Sequence, residues 1–65
     1  MMKQRVVIQD LNSQIMPVIT EMTDVVHVQG VAGDLLRFVH GDGSVTIINI
    51  APGWNVNISE YEEDD

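Results

Sequence analysis

Apolar residues in this chain tend to recur at every second position, and that spacing is the signature of strands. Trp54, Val56 and Ile58 alternate with Asn55, Asn57 and Ser59. A half-buried strand with one wet face reads this way. Residues 5–9 predict a first strand, with Val6 and Ile8 on one face and Arg5, Val7 and Gln9 on the other. Residues 25–28 predict another, and the glycine-bearing run 29–34 reads as its outgoing connection.

Residues 14–22 carry a mixed signal. Ser13 is a suitable helix cap, but Pro17 would then sit inside the helix, next to the β-branched Val18, Ile19 and Thr20. A proline in a strand belongs at an edge or a bulge, so an edge strand is the expectation. Thr23 and Asp24 read as punctuation after it.

The strongest local signal lies at residues 35–50. Two runs rich in branched and aromatic residues flank Gly41-Asp42-Gly43, which predicts a β-hairpin. In the first arm Leu36, Phe38 and His40 share a face, opposite Leu35, Arg37 and Val39. In the second, Val45, Ile47 and Asn49 alternate with Thr46, Ile48 and Ile50. Both faces of the ribbon are rich in apolar residues, as in strands covered on two sides. The expected fold is all-β: a small antiparallel meander or open barrel of four to six short strands. Residues 1–59 form the single domain, and 60–65 a mobile acidic C-terminus.

Length sharpens the question of cover. A chain of 65 residues buries only about 60% of the surface that its unfolded form exposes. It has no cysteine, so disulfides and thiolate metal sites are excluded. Two histidines are too few for an ordinary structural zinc site. Association is the remaining means of covering the hairpin. The expected oligomer interface comprises Leu35, Phe38, Val39, Val45, Ile47, Ile48 and Trp54.

Charge limits the partners. Three basic residues stand against ten acidic ones, for a net charge of −7. Binders of phosphate backbones cluster Lys and Arg, so neither nucleic acid nor an anionic membrane is an expected partner. A basic protein is, with Glu60, Tyr61, Glu62, Glu63, Asp64 and Asp65 as the partner-binding segment. The bland role of such a terminus is to keep a β protein soluble. No run of apolar residues is long enough for a transmembrane helix. Val6-Val7-Ile8 is too short for a secretory core, which makes the cytoplasm the expected location.

Catalytic chemistry finds little support. His40, Asp42 and Ser44 name a triad on paper, but three residues within one hairpin turn cannot easily reach triad geometry. The glycines at 30 and 33 match no phosphate-binding or dinucleotide-binding spacing. Gly41-Asp42-Gly43 supplies a single calcium ligand. No cofactor and no metal are expected. The chain reads as a non-enzymatic interaction module, acting as an acidic modulator or inhibitor of a basic protein, with a nucleic-acid enzyme as one such target. The alternatives are a structural subunit of a ring or capsid-type assembly, and a sensor with a small molecule held between subunits.

Overall fold

A computed structural model describes residues 1–64. Five antiparallel strands form one open sheet, and no helix is present among the described residues. They are β1 (Met2–Asp10), β2 (Val18–Ala32), β3 (Leu35–His40), β4 (Val45–Asn49) and β5 (Trp54–Glu62). The order across the sheet is β4-β3-β2-β1-β5. This is the expected all-β fold, a meander of β1 to β4 with β5 returning to pair with β1, and the hairpin lies where its turn residues put it. No helix long and apolar enough to cross a membrane occurs among the described residues.

Strand β2 organises the sheet. Its first half, through Val25, pairs with β1, and its second half, from Val25, pairs with β3. Register shifts interrupt both ladders, and each inserts an extra β2 residue against its partner. Bulges bend and twist a strand. The bend accounts for the core. Val6, Ile8, Val25 and Phe38 are wholly buried although no second layer stacks on the sheet. Met22, Val28, Leu36, Ile48, Ile50, Trp54 and Val56 pack around them. A flat sheet would leave one whole face in water, so the curl brings the β1–β5 side and the β3–β4 side onto one cluster. Closure is partial: the radius of gyration is 12.4 Å, against about 11 Å for a compact chain of this length.

Three expectations need correction. Pro17 lies outside any strand, and the segment after it is the start of the long central β2 rather than an edge. The proline's carbonyl instead accepts the Asp10 N–H at 2.7 Å, closing the β1–β2 loop. Thr23 and Asp24 do not end a strand: Asp24 takes φ +61° and carries β2 through as a bulge. Asp is among the few L residues that tolerate this left-handed conformation. Third, β5 runs on through Glu62, so Glu60, Tyr61 and Glu62 are sheet residues and not a free tail. Asp65 lies outside the described residues.

Candidate functional site

The hairpin half of the sheet separates its faces more sharply than its sequence does. Phe38 points inward and has no exposed surface. Ile48, paired across from Leu36, and Trp54, paired across from Asp10, are half-buried around the same core. Leu35, Val39, Val45 and Ile47 point the other way. Ile47 is 57% exposed and Val45 43%. The expected interface residues therefore divide, three facing the core of their own chain and four facing out.

The register places the outward residues in rows. Gln29 stands opposite Arg37 and Arg37 opposite Ile47; His27 stands opposite Val39 and Val39 opposite Val45. Ala32, Leu35 and Asn49 make a third row. No carboxylate lies among these nine positions, in a chain with ten acidic residues. Among the described residues Arg37 makes no ion pair, unlike Lys3 and Arg5. This outer face sets Leu35, Val39, Val45, Ile47 and Ala32 among uncharged His27, Gln29 and Asn49 around the cationic Arg37.

Its border is the free edge of the sheet. His40 N–H donates to the Ser44 carbonyl at 2.9 Å, and Ile50 N–H donates to the Asp34 carbonyl at 2.8 Å. Antiparallel pairing alternates, so Thr46 and Ile48 also turn their backbone groups toward β3. Val45, Ile47 and Asn49 then turn theirs outward, unpaired, along an edge with no charge and no proline. Natural sheets usually blunt such an edge.

The acidic end is built differently. Lys3 on β1 reaches Asp24 at the β2 bulge and Glu63 just beyond β5. These contacts, the hydrogen bond with Asp24 foremost, hold the Lys3 ammonium well above its ordinary range. Asp24 N–H donates to the Tyr61 hydroxyl at 3.0 Å. The terminal amine meets Glu62 at 3.0 Å. Gly41 N–H donates to the Asp24 carbonyl at 2.9 Å, and a Cβ at Gly41 would lie 2.7 Å from Asp24 Oδ1. The cluster is a clasp joining β1, β2, β5 and the hairpin turn. Of the expected partner-binding segment, Tyr61, Glu62 and Glu63 are engaged within the chain, while Glu60 and Asp64 face water. The clasp was not legible locally, since its members come from positions 3, 24, 61 and 63.

The paper triad does not assemble. His40 Nε2 and Thr46 Oγ1 share a hydrogen bond of 2.7 Å. The Ser44 hydroxyl donates to Asp42 Oδ1 at 2.6 Å and its N–H at 2.8 Å. That pair holds the Asp42 carboxyl below the usual carboxylate range and shapes the turn. Serine thus serves the aspartate and not the imidazole.

A second exposed apolar feature escaped the pattern reading. In the β1–β2 loop Leu11 is 69% exposed, Met16 74% and Ile15 91%. No family model, no curated protein and no solved structure matches the chain.

Proposed function

We propose that this protein is a non-enzymatic interaction module, a structural subunit that assembles through the outer surface of its β3–β4 hairpin. The observation that carries the reading is the outward face of half-buried Leu35 and Val39 and exposed Val45 and Ile47, free of carboxylates and bordered by an unpaired strand. Exposed apolar patches of this kind mark contact sites. The outward Arg37 suits such a site, because arginine is enriched at interfaces. A cytoplasmic setting belongs to the same proposal.

The test is a sedimentation series from micromolar to millimolar chain, comparing the wild type with Val39→Glu. The wild type should gain mass with concentration, and the variant should stay monomeric with an unchanged far-ultraviolet spectrum. A wild type that is monomeric throughout would overturn the reading.

The gathering of Asp24, Asp42, Glu62 and Glu63 near one end of the sheet favours a second reading, an acidic modulator of a basic protein. Deleting residues 60–65 is a poor test of it, since that removes three residues of β5. Neutralising Glu60 and Asp64 leaves the clasp intact. If salt-sensitive capture of polylysine is unaffected by that change, the charge reading loses its support.

A further inference from the structure

We infer that the occupant of the open β4 edge is the β4 edge of a second copy, in antiparallel register about a two-fold axis at Ile47. The inference rests on the assembly reading above and gives it a geometry.

The two edges of the sheet differ in what they present. Along β5, Glu63 N–H bonds the Met1 carbonyl and Leu11 N–H bonds the Gly53 carbonyl. By alternation Trp54, Val56, Ile58, Glu60 and Glu62 turn their backbone groups outward. Two of those five residues are carboxylates, so a second chain added there meets negative charge. Two chains of charge −7 repel each other least where carboxylates are absent. Strand β4, Val-Thr-Ile-Ile-Asn, is that place.

The edge is also its own complement. Val45, Ile47 and Asn49 carry the outward N–H and carbonyl groups at a spacing of two. Centred on Ile47, an antiparallel copy sets Val45 against the partner's Asn49 and Ile47 against the partner's Ile47. Every outward donor then finds an acceptor. Ile47 gains an apolar cross-strand neighbour on the outer face, and Thr46 meets the partner's Ile48 on the inner one. The product is one ten-stranded antiparallel sheet with acidic β5 edges at both ends. Contact over five residues falls below the area of a standard stable interface, so the dimer is reversible and favoured by concentration.

The absence of native cysteine makes a direct test possible. Opposed residues in a hydrogen-bonded antiparallel pair sit about 5.5 Å apart at Cα, within disulfide reach. Ile47→Cys, Ile58→Cys and Met16→Cys chains are oxidised separately under the same mild conditions. The expected result is rapid covalent dimer from Ile47→Cys alone. Equal rates at all three positions overturn the inference. Ile47→Pro supplies the second measurement. It removes an outward N–H at an edge position where proline is tolerated. It should weaken the dimer about tenfold or more, through two lost hydrogen bonds per pair. A dimer that survives Ile47→Pro but dissolves with Val39→Glu shows face-to-face contact, which overturns the edge geometry and spares the assembly reading. Wild-type chain monomeric at millimolar concentration overturns both. If the edge accepts a soluble peptide strand yet never its own copy, the inference also fails.

Discussion

The β5 edge and the β4 edge bound the same sheet but are protected unequally. The β5 side ends in a clasp of Lys3, Asp24, Tyr61 and Glu63, and its edge carries Glu60 and Glu62. The β4 side has no ion pair among the described residues, no edge charge, and Ile47 and Val45 open to water. Protection on one side only fits the proposal that a second copy meets the other. Blunting both edges would have needed a single Lys or Glu in β4.

The two sides share one core, and Phe38 is where that can be broken. It lies on β3 yet belongs to the cluster that Val6 and Ile8 supply from β1. Phe38→Ala should cost about 3–5 kcal/mol, comparable to the whole stability of a small domain. Urea denaturation should show loss of both sides in one transition. A variant that keeps β1–β5 protected from hydrogen exchange while the hairpin opens would show two independent units.

A smaller break is available at the junction between the sides. Gly53, in the β4–β5 turn, has φ +85°, and a Cβ there would clash with Asn12 Nδ2. Its carbonyl also accepts the Leu11 N–H at 3.0 Å. Gly53→Ala should destabilise by about 1–3 kcal/mol, from a strained left-handed residue plus the clash. Thermal melting would show it, and an unchanged Tm would remove the turn from the account.

These two sites were not equally legible beforehand. The hairpin, the alternation of β5 and the inward Val6 and Ile8 follow from period-two patterning and turn chemistry, both local. Phe38 shares its inward face with Leu36 and His40, as alternation requires, but which face would be inward needed the curl of the sheet. The length of β2 was hidden because Thr23-Asp24 has the composition of a turn, while a bulge uses the same residue types inside a strand. The acidic end departs from the expected tail for a related reason. Local composition describes a solvated tail, whereas pairing with Lys3 and the terminal amine depends on residues some sixty positions away.

Gln4 sharpens the contrast from the protected side. Its Oε1 is buried with no hydrogen-bond partner among the described residues. It stands between Val25 and Glu60 in the ladders. Gln4→Met keeps the volume and removes an unsatisfied acceptor, so a gain of about 1 kcal/mol is expected from chemical denaturation. On the exposed side Ile47→Thr should change monomer stability by less than about 0.5 kcal/mol, as at an ordinary surface position. A large loss would mean that Ile47 supports its own chain instead of facing a partner.

The gentlest probe is pH, and it separates the two sides by direction. The Asp42 carboxyl is held below its usual range, chiefly by the Ser44 hydroxyl. A group whose folded pKa is depressed contributes stability above its unfolded value and loses it as pH falls through the folded one. The hairpin turn should therefore weaken at the acid end, and Asp42→Asn should flatten that part of the profile. Lys3 is displaced the other way, raised by Asp24 and Glu63. Its contribution is complete below its ordinary value of 10.5 and is lost only as pH climbs through the higher folded one. Lys3→Met should accordingly reduce stability at neutral pH and leave less to lose in strong alkali. Amide exchange at residues 60–62, read against exchange at 45–49, would locate each change. If acid loosens residues 45–49 in the Asp42→Asn chain as much as in the wild type, the Asp42–Ser44 turn is not what holds the hairpin against acid.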